Sequence, residues 1–157
     1  MGPPIVNSGR LRATILPQKP LRLLGGKPLI GRVWERVAAM QTADRVVVAT
    51  DHPDVAAAVI AAGAEVAMTR GDHISGTDRV AEVANKAEYA GYDVIVNVQG
   101  DEPYINADGI RGAAQFVERG TFPLGTAASP GSVEMLSNPA VLKVVMDDLG
   151  RALYFSR

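Results

Sequence analysis

The chain contains no cysteine, and other features that define particular classes of protein are missing as well. Without cysteine it has no disulfide, no thiolate nucleophile and no zinc site built on Cys ligands. No apolar run reaches the roughly 20 residues of a transmembrane helix, and the first ten residues lack the apolar stretch of a signal peptide. We therefore expect a cytoplasmic protein with no membrane partner, and its 157 residues are enough for one domain with a sizeable core.

Acidic residues are missing from the first 34 positions, although the net charge of the whole chain is only −1. The same stretch holds six basic residues: Arg10, Arg12, Lys19, Arg22, Lys27 and Arg32. A basic segment on a mildly acidic body favours a local site for an anion. A nucleic-acid surface would need more positive charge overall, so we expect no nucleic-acid partner.

Short apolar segments alternate with helical patterns along most of the chain. The segments, several of them rich in valine, predict buried strands at 45–50, 64–68, 93–98, 124–129, 141–147 and 152–156. The helical patterns cover 30–37, 53–62, 80–87 and 110–117. This alternation is typical of an α/β fold with a parallel sheet and right-handed crossovers. Ligands of such sheets bind beyond the carboxyl ends of the strands.

The stretch "NVQGDEP" places Asp101 and Glu102 directly after a predicted strand, at the ligand side of the sheet. Neighbouring residues on an extended chain point in opposite directions, so the two carboxylates need not share a task. One carboxylate in this position is a plausible ligand of Mg²⁺, which often takes one or two protein carboxylates and fills its other positions with water and phosphate oxygens. The alternative is a polar turn that caps the next helix, and the residues alone leave both open.

A long stretch with little regular structure, residues 8–29, contains three glycines, three prolines and five basic residues. Loops of this length in compact domains tend to be functional, and glycines with Arg or Lys suit an anion. The alternative is an ordinary solvated loop. The stretch is not a Walker loop, because Pro28 follows Lys27, and no G-x-G-x-x-G motif occurs in the chain.

Ser75 and Asp78 form an S-x-x-D capping box at the start of the third helical pattern. Capping alone explains both residues, although the free N–H groups of this helix could also hold a phosphate or a base carbonyl. His52 and His73 have no metal-ligand partner at a useful spacing, and we interpret both as structural.

Six blocks of the sequence stand in the order and spacing of a known family. They are "RLRATILPQKPL", "LGGKPLIGRVWERV", "VVVATDHPDV", "GAEVAMTRGDHISGTDRVAEV", "VIVNVQGDEPYI" and "NPAVLKVVMDDLGRALYFSR". From about Arg10 onward the chain resembles the 3-deoxy-manno-octulosonate cytidylyltransferase (CMP-Kdo synthetase) family. The blocks "HxSGTDR" and "VNVQGDEP" are the most specific, whereas "LGGKPL" is shared with many sugar nucleotidyltransferases.

The resemblance implies a Rossmann-like, mostly parallel sheet flanked by helices, of the nucleotide-diphospho-sugar transferase type. It implies that CTP and the acid sugar Kdo react to give CMP-Kdo and diphosphate for lipopolysaccharide biosynthesis, with Mg²⁺ as cofactor and a homodimer as the assembly. Arg10 and Lys19 match the family's triphosphate-binding residues, and Asp101 matches its Mg²⁺ ligand. Arg70, Ser75 and Thr77 match the region around cytosine and ribose, and Gln99 matches the sugar side.

Several positions depart from the family pattern. Ser8 and Gly9 replace Pro-Ala in the signature loop, Ile15 replaces an Arg, and Gln18 replaces a Gly. Pro3 and Pro4 stand before the first strand, so we expect this central strand to be frayed.

The chain also ends at Arg157, where the resemblance implies that family members continue with a second metal-binding acid. We therefore expect residues 1–157 to be the N-terminal, CTP-binding portion of a single nucleotidyltransferase domain. Two alternatives stay open, namely a remnant of the family that is inactive or only binds CTP, and a CMP-sialic acid synthetase.

Overall fold

A computed structural model describes residues 5–9, for which only the backbone is considered, and residues 19–156. Its strands are β1 (Ile5–Gly9), β2 (Leu23–Leu24), β3 (Lys27–Pro28), β4 (Val46–Thr50), β5 (Glu65–Met68), β6 (Val96–Gln99), β7 (Lys143–Met146) and β8 (Ala152–Ser156). Its α-helices are α1 (Leu29–Ala39), α2 (Pro53–Ala61), α3 (Gly76–Ala84) and α4 (Ala107–Glu118). The chain divides into two compact units, residues 1–126 and residues 127–157.

The first unit is built on a four-stranded sheet in the order β5-β4-β1-β6, with all neighbouring strands parallel. The chain moves from β1 to β4 and β5 on one side, and then returns to place β6 on the other side of β1. This reversal creates a switch point between β1 and β6, beyond whose carboxyl ends doubly wound sheets bind ligands. The α/β class with a parallel sheet, expected from the sequence, is confirmed.

Helices cover both faces of this sheet. On one face, Val48 of β4 packs with residues of α1 and α2, and Val98 of β6 packs with residues of α1 and α4. On the other face, Val47 and Ala49 of β4 pack against α3 through Val80 and Val83. Because β4 is buried on both faces, its sequence is apolar from Val46 to Ala49, as expected for a central strand of a parallel sheet.

The ends of the helices follow their sequence signals. Pro53 occupies the first turn of α2, and the His52 ring accepts a hydrogen bond at 3.2 Å from the backbone N–H of Asp54. Gly63, with φ +91°, follows the end of α2, where the backbone enters the left-handed region that favours glycine. The structural interpretation of His52 is therefore confirmed, since its ring caps a helix.

Two expectations about strands are wrong. β1 is paired along its length on both sides, with β4 and with β6, so its pairing is not frayed. The two prolines stand before the paired residues, so they remove no N–H group from the ladder. Residues 124–129 form no strand and are mostly exposed.

The second unit contains β7 and β8, which form an antiparallel hairpin with a register irregularity between Val145 and Met146. The turn is held by Asp147, whose side chain accepts hydrogen bonds from the backbone of Leu149 at 3.1 Å and of Arg151 at 2.8 Å. Strands were expected over 141–147 and 152–156, and the structure confirms both. In the part of the chain that the structure describes, no helix has the length and apolar character needed to cross a membrane.

A charged cluster joins the starts of β4 and β5. The Arg45 guanidinium contacts both carboxylate oxygens of Glu65, at 2.6 and 2.8 Å, and lies 4.5 Å from the centre of the Tyr89 ring. The Tyr89 hydroxyl donates a third hydrogen bond to Glu65 at 3.0 Å. These donors, the Arg45 side chain above all, lower the pKa of Glu65 below its usual value of 4.5.

The lowered pKa predicts a pH-dependent contribution of Glu65 to stability. A carboxylate whose pKa falls on folding stabilises the folded state above its unfolded pKa, and this stabilisation is lost as the pH drops through the folded pKa. Glu65→Gln should lower the free energy of unfolding at pH 7 by about 1 kcal/mol, the upper range for a partly exposed pair. Urea titrations at pH 7 and at acidic pH check this, and a difference in stability that does not shrink as the pH falls below the unfolded pKa would contradict it.

Candidate nucleotide-binding site

The switch point of the sheet carries an ion pair. The Lys19 ammonium contacts the carboxylate of Asp101, and each side chain is about two-fifths exposed. Lys19 lies in a short 3-10 turn, Lys19–Leu21, and Asp101 follows the end of β6. The structure thus brings together two of the residues selected from the sequence, which are 82 positions apart, at the place where doubly wound sheets bind ligands.

Asp101 has a second carboxylate next to it in sequence. The backbone N–H of Glu102 donates to the carbonyl of Gln99 at 3.2 Å, which closes a turn directly after β6. Burial, followed by the negative charge of Asp101, raises the pKa of Glu102. Gln99 is the exposed last residue of β6 and is aligned with Ser8 of β1. The turn therefore gathers negative charge that a cation would relieve.

The segment between β5 and α3 carries the residues expected near the base and ribose. Ser75 and Asp78 form the expected capping box, since the Asp78 N–H donates to the Ser75 hydroxyl at 3.1 Å and the Asp78 carboxylate accepts from the Ser75 N–H at 2.8 Å. Thr77 is exposed in the first turn of α3, and the Arg70 side chain is 71% exposed. Both therefore face solvent on the ligand side of the sheet.

Arg79 is a buried cation that the sequence interpretation missed. Its guanidinium donates a hydrogen bond to the Thr69 hydroxyl and lies 3.0 Å from the Asp51 carboxylate, close but out of line for a hydrogen bond. It therefore joins the carboxyl ends of β4 and β5. The signal was present in the sequence, because Arg79 stands four residues before Val83 and so shares the apolar face of α3.

Other selected positions fall elsewhere. Arg10, Ile15, Gln18 and Arg157 lie outside the described residues. His73, interpreted as structural, is nearly buried, and its ring Nε2 contacts the Glu82 carboxylate.

A divalent cation would fit the switch point only if a bound substrate supplied part of its oxygen ligands. Over residues 5–9 and 19–156, no group of three or more His, Asp or Glu side chains is arranged to hold a metal ion. A single accessible carboxylate, that of Asp101, nevertheless suits Mg²⁺, which takes most of its oxygen ligands from water and phosphates. The chemistry of the site thus matches a cation that arrives with a phosphorylated ligand.

A doubly wound parallel sheet with a lysine–carboxylate pair at its switch point defines a protein of the α/β class with a candidate ligand site beyond the carboxyl ends of its strands. Comparison with known proteins makes this class specific. The sequence model of the family described as "Cytidylyltransferase" matches residues 5–157, and the chain belongs to the cytidylyltransferase family.

Relatives in two bacteria share more than half of the aligned residues. The chain is 56% identical over 148 residues to the 3-deoxy-manno-octulosonate cytidylyltransferase of Gemmatimonas aurantiaca. It is 52% identical over 149 residues to the protein of the same name from Yersinia pseudotuberculosis. Each alignment covers 94% of this chain, but only 57% and 59% of the respective relative, so the chain spans less than two thirds of the length of the proteins it matches.

Solved structures agree with the fold. A structure of CMP:2-keto-3-deoxy-manno-octonic acid synthetase complexed with CTP superimposes with a TM-score of 0.84 at 37% identity, over 99% of this chain and 64% of that one. A cytidylyltransferase from Leptospira borgpetersenii gives a TM-score of 0.55 at 22% identity over 68% of this chain and 44% of that one, and supports the fold alone. The expected nucleotidyltransferase fold is confirmed.

The capping box predicts what the removal of the Ser75 hydroxyl does to stability. Ser75→Ala leaves the first-turn N–H of Asp78 without its side-chain acceptor, so the free energy of unfolding should fall by about 1 kcal/mol. Chemical denaturation checks this, with Ser132→Ala as the control, because the Ser132 side chain caps no helix. An unchanged stability in Ser75→Ala would show that the cap contributes nothing.

Proposed function

We propose that this chain is the CTP-binding portion of a 3-deoxy-manno-octulosonate cytidylyltransferase, which converts CTP and Kdo to CMP-Kdo and diphosphate for lipopolysaccharide biosynthesis. The observation that carries the proposal is the Lys19–Asp101 pair at the switch point of a sheet belonging to the cytidylyltransferase family. The names of the relatives and the CTP in the similar structure support the choice of both substrates.

The reaction is an in-line displacement at phosphorus. The anomeric hydroxyl of Kdo attacks the α-phosphorus of CTP and loses its proton, while the bond to the oxygen bridging to the β-phosphorus breaks and diphosphate leaves. Little covalent chemistry falls to the protein, so rate enhancement comes from positioning and from neutralising the triphosphate charge. A Mg²⁺ ion, when bound, would supply part of that neutralisation.

The residues of this chain divide this task between them. Lys19 and Arg10 hold the triphosphate, and the Asp101 carboxylate holds the metal ion. Gln99, exposed at the end of β6, lies on the side of the acid sugar. Arg70, Ser75 and Thr77 surround the cytosine and ribose. The Lys19 ammonium contacts the Asp101 carboxylate, at the position that this proposal gives to the metal ion. A homodimer and a cytoplasmic location belong to the same proposal.

A second candidate is a remnant of the family that is inactive or only binds CTP. Ile15 and Gln18 favour it, because the first replaces an arginine of the family's signature loop and the second a glycine. Losing a charged hydrogen bond to a phosphate costs about 1.5–3 kcal/mol, enough to weaken CTP binding tenfold or more. The two candidates differ in whether the chain releases diphosphate from CTP in the presence of Kdo.

Asp101→Asn should abolish the release of diphosphate from CTP, Kdo and Mg²⁺ while leaving the fold intact. The fold should persist because a partly exposed ion pair contributes only about 0–1 kcal/mol to stability. A coupled diphosphate assay and circular dichroism measure the two effects. Asp108→Asn is the matched control, since Asp108 is 95% exposed and pairs with Arg111 within α4.

Three outcomes of this assay decide different questions. Full activity in Asp101→Asn would remove the metal role of Asp101. A wild-type chain that binds CTP without releasing diphosphate would favour the second candidate. A wild-type chain that does not bind CTP would overturn the proposal itself.

Lys19→Gln should strengthen metal binding in the absence of nucleotide, because it removes the ammonium that competes for Asp101. An exposed pair contributes up to about 1 kcal/mol, so we expect about a fivefold gain in Mn²⁺ affinity, together with weaker CTP binding. Electron paramagnetic resonance of free Mn²⁺ measures the first effect and calorimetry the second. Lys27→Gln, which removes an exposed partner of Glu35, is the control. Weaker Mn²⁺ binding in Lys19→Gln would contradict the prediction.

A further inference from the structure

Glu82 of α3 holds the segment that follows β5. One oxygen of its carboxylate, Oε2, accepts a hydrogen bond at 3.1 Å from the backbone N–H of Arg70 and also contacts Nε2 of the His73 ring. Only 6% of the His73 side chain and 23% of the Glu82 side chain are exposed. The contact with His73, the largest cause, and the Arg70 N–H lower the pKa of Glu82, so its carboxylate is charged near neutral pH.

These contacts fix the main chain of Arg70 but leave its side chain accessible. The guanidinium Nε lies 3.7 Å from Glu82 Oε2 and 3.5 Å from Asp72 Oδ1, too far for strong hydrogen bonds. Because 71% of the side chain is exposed, a ligand can reach it without breaking a tight internal pair. A fixed backbone beneath an accessible, charged side chain is the arrangement of a binding residue rather than of a structural one.

Arg79, which lies on α3 like Glu82, holds Thr69, the residue before Arg70. Its guanidinium donates to the hydroxyl of Thr69, while the Thr69 N–H donates to the carbonyl of Thr50 at 2.9 Å. Residues 79 and 82 are three positions apart and therefore lie on neighbouring turns of one side of α3. Two consecutive residues after β5, Thr69 and Arg70, are thus anchored by two side chains of one helix.

We propose that Glu82 is a positioning residue, which acts through Arg70 and His73 to hold the segment that binds the base and ribose of the nucleotide. This inference rests on the proposed function, since it assigns the 69–75 segment to the nucleoside part of CTP. Glu82 itself needs no contact with the ligand, because its effect is transmitted through the backbone of Arg70.

The order of the strands separates this segment from the triphosphate. The segment follows β5, whereas the Lys19–Asp101 pair lies between β1 and β6, and β4 stands between β5 and β1. Two and a half strand spacings amount to about 12 Å. A defect in the Glu82 anchor should therefore weaken contacts with the nucleoside and spare contacts with the phosphates.

The test compares two ligands on one variant. Calorimetry measures the affinity of the wild type and of Glu82→Gln for CTP and for inorganic tripolyphosphate, both with Mg²⁺ present. Since hydrogen bonds to charged groups are stronger than neutral ones, we expect a loss of about tenfold in CTP affinity and no change for tripolyphosphate. His73→Phe should act in the same direction, and the double variant should lose less than the sum of the two single effects, because both act through one contact.

Glu65→Gln is the control, because it makes the same chemical change in a carboxylate that is paired at the starts of β4 and β5, away from the ligand side. Equal losses for CTP and tripolyphosphate would mean that Glu82 acts only on general stability and would overturn the inference. Unchanged CTP affinity in Glu82→Gln would overturn it as well and leave the proposed function standing. A wild type that binds tripolyphosphate but not CTP would overturn both.

Discussion

The pairing of β1 with β4 on one side and β6 on the other is the constraint on which the site depends. It places the end of β6 beside the end of β1, and Asp101, which follows β6, contacts Lys19. If β6 had been added beyond β5 instead, the two residues would lie at opposite edges of the sheet. The ion pair is weak by itself, as exposed pairs are, so the sheet determines its geometry rather than the reverse.

Much of the first unit could be predicted from the sequence because its signals are local. The apolar run of β4, Pro53 and Gly63 at the ends of α2, and the Ser75–Asp78 capping box all act within a few residues of themselves. The run at 124–129 was misinterpreted for a related reason. A short apolar segment is compatible with a strand and with other structures, and periodicity alone does not distinguish them.

The candidate site was predictable in part. Asp101 and Lys19 lie in sequence motifs that predict a binding role for both. Their contact, however, depends on the strand order, which no local pattern encodes. Arg79 and Glu82 were missed because a charged residue inside a helical pattern usually faces solvent. Only the structure shows that Arg79 is buried against Thr69 and Asp51, and that Glu82 reaches back to Arg70.

The central position of β1 also affects how the protein is made. A ribosome delivers the chain from its amino end, and β1 has no neighbour in the sheet until β4 has emerged some forty residues later. The switch point gains Asp101 only after β6, near residue 100, has been synthesised and has paired with β1. Contacts this distant in sequence close slowly, because the intervening chain must lose its entropy first. The nascent first unit therefore carries Lys19 well before Asp101, and under the proposed function CTP can stabilise only chains that have passed that point.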